Sequence, residues 1–358
     1  LMRKEELIRG EASGVGNPII AVGRRTGRDG IHGATFASAE LDEAESRPSR
    51  TPTGDPEIGK RLMEASLELI RSGHIVGIQD MGAAGLASSS SEMAARAGTG
   101  VDIDTALMPT SEEGMTPYEV LLSEAQERML VVAKAGREDE IRKILEKWDL
   151  EFAVIGHVTD DGVYRVRENG VVVCEIPGQE LVDDCPTYVR EGREAEEVRS
   201  LRDWTPEALE PSGEALDHTR SLLRVLASPT IASKRWVREQ FKAPAGAEAV
   251  VDTRGGAGVI RIEGTTIGIA ATVDCNGRYV YLNPRRGAMI AVAEAARNLV
   301  CVGARPRAVT NNLNFGNPLK PEVYYQLQEA VAGMGEACRA FDTPVTGGNV
   351  SLYNENPR

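Results

Sequence analysis

The sequence lacks the features of membrane-spanning and secreted proteins. No stretch approaches the roughly 18 consecutive apolar residues that a membrane-spanning helix needs, and its start, Leu-Met-Arg-Lys-Glu-Glu, has no apolar core of a secretory signal. The five cysteines are an odd number without a CxxC pair, which argues against a disulfide framework and a zinc knuckle. We therefore expect a cytoplasmic protein whose thiols are reduced and mostly buried.

A surplus of positive charge is also absent. Lys and Arg total 41 against 54 Asp and Glu, which gives a net charge of −13. This balance opposes sequence-independent binding to a polyanion or an anionic membrane, so we expect neither nucleic acid nor a membrane as a partner. A net negative charge is still compatible with local sites that bind phosphate. The four histidines lie far apart and give no local metal-ligand spacing.

The 358 residues are 41% hydrophobic and 27% charged, as in globular proteins, and their number suffices for roughly two domains. Short apolar runs alternate with amphipathic helical patterns, which predicts an α/β or α+β fold. The clearest helix begins where Asp55 can cap it and Pro56 fits its first turn, and it stops at Gly73. A strand over 74–79 follows and places Asp80 at its end.

The remaining pattern predicts two domains joined by a linker. Residues 152–176 are expected to give the closing antiparallel strands of the first domain, and a β-meander is expected to open the second near residue 245. Residues 190–220 lose the apolar period, as a linker does. Further strands are predicted at 18–22, 128–132 and 343–346, and further helices from Ser91, over 138–148 and 288–301, and from Pro321 to about Phe341.

Two glycine-rich stretches, residues 13–18 and 24–33, could bring the backbone close to phosphate. Neither has the Lys-Ser/Thr ending of a P-loop, and neither leads from a strand into a helix as a dinucleotide fingerprint does. Turn formation is therefore the favoured interpretation. His32 is a candidate base, but a single loop histidine is more often a surface or packing residue, and the sequence names no partner for it.

Polar side chains near two strand ends are candidate ligands. Asp80 precedes Gly82, an arrangement that Mg²⁺ uses when nucleotide phosphates supply its remaining ligands, although a lone Asp at a strand end more often caps a turn. Glu124 and Gln126 precede the strand that starts at Arg128, and they would point the same way in an extended chain. A solvated face is an equally good interpretation of that pair.

Asparagine and glycine cluster in residues 311–318 and 347–351. Both residue types tolerate left-handed backbone, and both serve ligand contacts. The cluster is therefore either a set of tight turns or an amide-lined polar pocket. The density of these residues in 311–318 favours the pocket.

Six segments of the sequence are distinctive when they are taken together. They are Ala-Ser-Gly-Val-Gly-Asn-Pro, Thr-Gly-Arg-Asp-Gly-Ile-His-Gly-Ala-Thr-Phe-Ala-Ser, Gly-Ile-Gln-Asp-Met-Gly-Ala-Ala-Gly-Leu, Glu-Gly-Met-Thr-Pro-Tyr-Glu, Leu-Asn-Phe-Gly-Asn-Pro and Gly-Gly-Asn-Val-Ser-Leu-Tyr-Asn-Glu. These segments closely resemble the synthetase subunit, PurL, of phosphoribosylformylglycinamidine synthase. The similarity follows the family's order from about Glu11 to Glu355 and fails clearly only near residues 190–217 and 242–247.

The resemblance implies a PurM-like, or AIR-synthetase-like, α/β fold of tandem units. Residues 1–10 would be a truncated edge, 11–185 a C-terminal-type domain of the first unit, 186–244 a linker or excursion, and 245–358 a truncated N-terminal-type domain of the second unit. The family's opening domain, with its histidine-bearing motif, has no counterpart here. The resemblance therefore implies truncation at both ends and no catalytic residue within this chain.

The implied reaction converts formylglycinamide ribonucleotide (FGAR), ATP and glutamine-derived ammonia into formylglycinamidine ribonucleotide, ADP and phosphate in purine biosynthesis. Mg²⁺ is the implied cofactor, and a glutaminase subunit and a small third subunit are the implied partners. Two alternatives stay open: a nucleotide-binding or structural module without turnover, and a kinase-like relative on the same fold. The Glu-x-Gln and Gly-Gly-Asn-Val-Ser-Leu-Tyr segments argue against the kinase.

Site roles carry over by position from the resemblance. Asp80 resembles a magnesium ligand. Glu124, Ala125 and Gln126 match a substrate-contacting Glu-Ser-Gln segment, in which Ala125 replaces the serine. The position of a substrate-binding Gln falls on Pro52, which has no side-chain donor, so that contact is expected to be lost or rerouted.

Four further roles fall near the end of the chain. Gly348 resembles an ATP-contacting glycine, Asn349 a ligand of another magnesium, and Ser351 a substrate contact. Asn311 stands at an ATP-contacting position where the family usually has Asp, so hydrogen bonding is kept while a negative charge is lost.

Overall fold

In the computed structural model, the chain divides into two compact units, Leu1–Tyr188 and Val189–Arg358. The predicted domain bounds, 11–185 and 245–358 with a linker at 186–244, stay predictions. Among the described residues, none of the helices is long and apolar enough to cross a membrane. The residues that the structure describes are 4–33, 53–202, 204–205, 217–240, 248–251 and 256–355.

The described residues of the first unit form a seven-stranded sheet flanked by helices, with strand order β2-β4-β1-β5-β3-β6-β7. Neighbouring strands are antiparallel except for the parallel pair β3–β6. The strands are β1 (Pro18–Gly23), β2 (Ile75–Asp80), β3 (Gly100–Asp104), β4 (Arg128–Ala133), β5 (Phe152–Thr159), β6 (Val163–Glu168) and β7 (Val171–Pro177). The helices are α1 (Pro56–Ser72), α2 (Gly85–Ala97), α3 (Pro117–Leu122), α4 (Glu138–Lys147) and α5 (Gly178–Val182), with short 3-10 turns at Lys4–Glu6 and Thr105–Leu107.

Strand β1 is buried on both faces, which explains its unbroken apolar run. Ile19 belongs to a core cluster with Leu86 and Met93 of α2. Ile20 belongs to a second cluster with Leu69 of α1. Burying these side chains on each face stabilises the sheet by about 1.5–3 kcal/mol per large side chain.

Helix α1 confirms the clearest helix prediction. The Asp55 carboxylate accepts hydrogen bonds from the N–H groups of Glu57 and Ile58, and Gly73 ends the helix in the left-handed conformation.

Residues 152–176 form three strands, as predicted. Strand β5 is antiparallel to both β1 and β3, and β6 is antiparallel to β7, but β6 is also parallel to β3, which was not expected. The sequence pattern could not reveal this because it carries no information on which strands become neighbours.

The helix predicted from Ser91 begins earlier, at Gly85. Serine has a low helix propensity because its hydroxyl competes for backbone hydrogen bonds, and the run from Ser88 to Ser91 hid the first turns. In the structure the hydroxyls bond back along the helix, as Ser89 Oγ does to the Gly85 carbonyl at 3.0 Å. Ser90 Oγ also lies 3.0 Å from the hydroxyl of Tyr164.

The described residues of the second unit contain two small sheets and several helices. The antiparallel order β10-β9-β8 confirms the predicted β-meander, and β11 and β12 form a parallel pair. The strands are β8 (Glu248–Val251), β9 (Gly258–Arg261), β10 (Gly268–Ala271), β11 (Val309–Asn314) and β12 (Val345–Ser351). The helices are α6 (Glu196–Leu201), α7 (His218–Leu226), α8 (Arg235–Gln240), α9 (Gly277–Leu282), α10 (Pro284–Cys301) and α11 (Pro321–Phe341).

The structure also differs from the sequence-based expectations in the following details. The stretch 190–220 contains helix α6, whose Val198 is buried. Strand β11 was not predicted, because asparagine is rare in strands. The last strand lies later than the predicted 343–346. Cysteines are less buried than expected, since Cys185, Cys275 and Cys301 are exposed.

Candidate functional site

Asp80 is the last residue of β2, and its side chain is exposed. The next residue, Met81, is buried, and its N–H donates to the Arg128 carbonyl at 3.2 Å. A Cβ atom at Gly82 would lie 2.9 Å from Asp80 Oδ2. Glycine therefore leaves the space beside the carboxylate open, so that a ligand could approach it.

Glu124 follows α3 and joins two loops. Its N–H donates to the Asp29 carbonyl at 2.9 Å, which ties it to the loop after β1. Its carboxylate Oε1 accepts a hydrogen bond from the Ala84 N–H at 3.0 Å, which ties it to the loop after β2. A Cβ atom at Gly33 would lie 2.5 Å from the other oxygen, Oε2. The structure thus brings three of the predicted motifs to one edge of the sheet.

The other two residues of the predicted substrate segment are placed differently. Ala125 is buried, its N–H donates to Ser123 Oγ at 3.3 Å, and its carbonyl accepts from the Arg128 guanidinium. Gln126 is exposed. The segment belongs to no strand, so the argument that placed Glu124 and Gln126 on one side of an extended chain does not apply. Their roles as substrate contacts stay predictions.

The loop over 24–33 is held by ion pairs. Arg28 Nε donates to Glu119 at 2.6 Å, and Arg28 Nη1 lies 3.3 Å from Glu112. His32 has a left-handed φ of 65°, and its Nε2 lies 3.3 Å from the Tyr118 hydroxyl. Gly30 is also left-handed, with φ 66°. These contacts support turn formation as the main use of the glycines, and they supply the histidine partner that the sequence did not name.

The ion pair of Arg28 with Glu119 predicts a stability term that is lost in acid. The hydrogen bond from Arg28 lowers the pKa of Glu119 from 4.5 to about 2. A depressed carboxyl pKa stabilises the fold above about pH 4.5, and the contribution disappears as pH falls towards 2. Glu119→Gln should therefore lower the melting temperature at neutral pH, and the difference from wild type should vanish near pH 2.

The control for this prediction is Glu113→Gln, since Glu113 is an exposed neighbour. It should leave the pH dependence of the melting temperature unchanged. A Glu119→Gln difference of equal size at about pH 6 and about pH 2.5 would contradict the assigned ion pair.

Arg128 is a residue of this region that the sequence argument missed. It is buried, and its guanidinium donates to the carbonyls of Ser123 and Ala125 and to the hydroxyl of Thr26. Burial lowers the pKa of Arg128 to about 10, against the attraction of nearby Asp29 and Glu124. The sequence feature that could have indicated this buried arginine is its position as the first residue of an otherwise apolar strand.

The segment that begins at Thr53 is clamped from two sides. The Arg24 guanidinium donates to the Thr53 carbonyl, and the Asp55 N–H donates to Glu127 Oε1 at 2.9 Å. Glu127 has a left-handed φ of 56°. Pro52, where the family's substrate-binding Gln would fall, lies outside the described residues.

The second candidate region is the parallel strand pair β11–β12. In its register Asn311 pairs with Gly348, and Asn314 pairs with Ser351. The amide oxygen of Asn311 occupies the place that a side chain at position 348 would need, while its Nδ2 lies 3.7 Å from Met334 Sδ. Asn349 Nδ2 donates to Ser351 Oγ at 3.1 Å.

Because side chains alternate along a strand, these residues separate onto two faces. Asn311 and Gly348, the predicted ATP contacts, lie on the face towards Met334 of α11. Asn349 and Ser351, the predicted metal and substrate contacts, lie on the other face, where Asn349 is exposed and Ser351 is half-buried. The cluster is a strand followed by a turn, so neither interpretation made from the sequence describes it fully.

The turn after β11 is held by Glu355. Its Oε1 accepts from the Asn317 N–H at 2.9 Å, and its Oε2 lies 2.5 Å from Lys320 Nζ. The bond from Lys320 lowers the pKa of Glu355. A Cβ atom at Gly316 would collide with the Glu355 side chain, so glycine allows this carboxylate to approach the turn. These contacts hold the Leu-Asn-Phe-Gly-Asn-Pro segment against Glu355 before α11 begins.

Two family models match the chain in succession. The model described as AIR synthase related protein, C-terminal domain, matches residues 14–169. The model described as AIR synthase related protein, N-terminal domain, matches residues 254–358. The C-terminal type therefore precedes the N-terminal type, in the order that the sequence resemblance implied.

Similar proteins carry the name phosphoribosylformylglycinamidine synthase subunit PurL. The protein from Moorella thermoacetica is 56% identical over 357 residues, which covers 99% of this chain and 48% of that protein. The one from Chlorobaculum tepidum is 53% identical over 365 residues, covering 99% of this chain and 47% of that protein. The chain thus spans about half the length of the curated relatives it matches.

Solved structures agree with this similarity. Thermotoga maritima PurL complexed with FGAR matches with a TM-score of 0.80 and 32% identity, covering 99% of this chain and 54% of that one. PurL of the same organism complexed with ATP matches with a TM-score of 0.73 and 30% identity, covering 99% and 53%. A structure of PurLQS from Thermotoga maritima matches with a TM-score of 0.75 and 30% identity, covering 99% and 54%. The chain belongs to the AIR synthase related family and, within it, to the PurL proteins.

Proposed function

We propose that this chain takes part in the ATP-dependent conversion of FGAR and ammonia to formylglycinamidine ribonucleotide, ADP and phosphate. The observation that carries the proposal is 51–56% identity to PurL proteins over 99% of the chain. The fold shared with PurL structures that hold FGAR or ATP supports it. The proposed partners are a glutaminase subunit, which would supply the ammonia, and a small third subunit, and the proposed location is cytoplasmic.

In the first unit, Glu124 and Gln126 are proposed to contact FGAR. Both main-chain groups of Ala125 already make hydrogen bonds within the protein, so its proposed contribution is to hold its neighbours in place. In the second unit, Asn311 and Gly348 are proposed to contact ATP, and Ser351 is proposed to contact FGAR. No catalytic residue is assigned.

Asp80 is the proposed ligand of one Mg²⁺ ion, and Asn349 is the proposed ligand of another. Among the described residues, no group of three or more His, Cys, Asp and Glu side chains gathers as a cation site. Single donors still suit magnesium, because a carboxylate or an amide supplies a hard oxygen atom and Mg²⁺ usually takes its remaining ligands from water and substrate phosphates. When bound, each ion would neutralise phosphate charge.

The reaction makes two demands on the protein. ATP transfers a phosphoryl group to the amide oxygen of FGAR, and ammonia then attacks the activated carbon and releases phosphate. The protein must therefore hold two phosphate-bearing ligands together, and it must keep water away from the activated carbon, since water would return the amide. The half-buried Glu124, fixed between two loops, suits the first demand because its direction is set before the ligand arrives.

Calorimetric titration of the 358-residue chain with FGAR, Mg-ATP and Mg-ADP tests the proposal, together with an ammonia-dependent assay of ADP release. We expect FGAR and Mg-nucleotide to bind. Binding without ADP release would support the interpretation as a ligand-binding portion of the synthase, and ADP release would support the complete reaction. Failure to bind either ligand would contradict the proposed function.

Asp80→Ala tests the proposed metal ligand. Because Asp80 is exposed at a strand end, its loss should leave the melting temperature almost unchanged. Ligand binding in the presence of Mg²⁺ should weaken on the order of tenfold, while binding without Mg²⁺ should not change. Asp160→Ala, which removes an exposed carboxylate from a turn elsewhere in the unit, is the matched control. Equal Mg²⁺ dependence in both variants would exclude Asp80 as a ligand.

A further inference from the structure

A buried guanidinium lies directly behind the segment that carries Glu124. Arg128 is 4% exposed, and burying a cation is costly unless its N–H groups find acceptors. Its Nη2 donates to the Ser123 carbonyl at 2.6 Å, and its Nε donates to the Ala125 carbonyl at 2.9 Å. These two acceptors are the main-chain carbonyls on either side of Glu124, so one rigid group fixes the backbone before and after that residue.

The third hydrogen bond of Arg128 reaches the loop after β1. Nη1 donates to Thr26 Oγ1 at 2.9 Å, and Thr26 itself is completely buried. In the same region the Ser123 hydroxyl donates to the Gly27 carbonyl at 2.6 Å. The planar guanidinium has donors in a fixed fork. It therefore sets the distance between the loop and the 123–125 segment, which a flexible side chain could not do.

We infer that Arg128 is a positioning residue, which fixes the 123–125 segment and thereby aims the Glu124 carboxylate at the substrate. Glu124 needs such support because its segment belongs to no regular element. The contacts that Glu124 makes itself, to the Ala84 N–H and to the Asp29 carbonyl, bridge two loops. The part of the inference that concerns the substrate rests on the proposed function. A second part concerns the protein alone: Arg128 maintains the hydrogen bond between the Ala84 N–H and the Glu124 carboxylate.

The claim about the protein alone is tested without any ligand. Arg128→Lys keeps the positive charge but cannot reach three acceptors in a fork. We expect the Ala84 amide proton to exchange with solvent at least about tenfold faster in this variant, because its acceptor is no longer held in place. Arg165→Lys is the matched control, since Arg165 lies on strand β6 and makes its ion pairs with Asp102, Asp161 and Glu175, none of which contacts the 123–125 segment. An unchanged Ala84 exchange rate in a folded Arg128→Lys variant would overturn the inference.

Calorimetric titration with FGAR tests the link to the substrate. Arg128→Lys should raise the Kd for FGAR on the order of tenfold, while the Kd for Mg-ADP should stay at the wild-type value. In a Glu124→Ala background, Arg128→Lys should have no further effect on FGAR binding, because Arg128 acts through Glu124. Equal effects of Arg128→Lys with and without Glu124 would show a general structural role and overturn the inference.

Two further results separate this inference from the proposed function. If the unsubstituted chain does not bind FGAR, the proposed function fails, and the Ala84 exchange rate still decides the role of Arg128 within the protein. If Arg128→Lys does not fold, Thr26→Val replaces it, since it removes one acceptor of the guanidinium and keeps the side-chain shape. Thr26→Val should also raise the Kd for FGAR, as Arg128→Lys is expected to do. An unchanged Kd would count against the inference.

Discussion

Alanine at position 85 is expected to destabilise the first unit by about 2 to 5 kcal/mol. Gly85 has a left-handed φ of 54°, which costs an L-residue about 1–2 kcal/mol. A Cβ atom there would also collide with the Ser123 carbonyl oxygen and lie 3.1 Å from the Leu121 carbonyl oxygen. Both are backbone atoms, so relieving the collision requires moving α2 away from the 121–123 backbone, at a further cost of about 1–3 kcal/mol.

The other end of the same helix supplies the control. Gly98, which ends α2, has a φ of 66°, but a Cβ atom there would meet no atom within 4 Å. Gly98→Ala should therefore show the backbone cost alone, about 1–2 kcal/mol. Urea unfolding followed through Trp148 measures both, in a background where the exposed Trp204 and Trp236 are replaced by phenylalanine. Equal losses of unfolding free energy in the two variants would show that the close approach of Gly85 to the Ser123 carbonyl does not contribute to the cost.

The Gly85→Ala substitution should also affect the proposed substrate site. Gly85 lies next to Ala84, whose N–H holds the Glu124 carboxylate, and it contacts the carbonyl of Ser123, the residue before Glu124. A folded Gly85→Ala variant should therefore bind FGAR more weakly than Gly98→Ala does. Glycine is thus needed at position 85 because the backbone near Ser123 packs closely against it. The local sequence Gly-Ala-Ala-Gly-Leu does not predict this contact.

The parts of the fold predicted from the sequence are those with local causes. Asp55 and Pro56 determine where α1 begins, and the apolar run over Pro18–Gly23 predicts β1. The elements that were missed depend on distant partners. Strand β11 is rich in asparagine, and its conformation is fixed by pairing with β12 and packing on α11. The start of α2 is fixed by the approach of Gly85 to the chain near Ser123.

The same distinction holds for the candidate site. Asp80 and Glu124 were predicted as polar residues near strand ends, but the contacts of Glu124 with the loops after β1 and β2 depend on the sheet order, in which β4 lies between β2 and β1. That order brings the loops after β1 and β2 beside the segment that enters β4. Periodicity contains no information on strand order, so Arg128, which joins these loops, was not visible as a functional residue. The proposed roles came from the resemblance of whole motifs, and they stay predictions.

A large loss of stability is expected from removing the charge of Asp102 on β3. Its two carboxylate oxygens accept from Arg167 Nε at 2.7 Å and Nη2 at 2.8 Å, and Arg165 lies 3.6 Å away. Asp102 is buried, whereas a third of the Arg167 side chain is exposed. Breaking a fully buried pair costs about 3–5 kcal/mol, but water can reach Arg167. We therefore expect Asp102→Asn to cost about 2 to 3 kcal/mol at neutral pH.

The pH dependence of unfolding distinguishes this ion pair from a mere packing effect. Hydrogen bonds from Arg167 hold the pKa of Asp102 below its ordinary value of 3.8. Its contribution to stability is therefore complete above about pH 4 and is lost as pH falls below that value, so the difference between wild type and Asp102→Asn should shrink in acid. Glu168→Gln removes an exposed carboxylate from the neighbouring strand β6 and should show neither effect. A loss for Asp102→Asn that stays constant between about pH 7 and about pH 2.5 would mean that shape rather than charge makes Asp102 necessary, because an ion pair cannot stabilise the fold once its carboxylate is protonated.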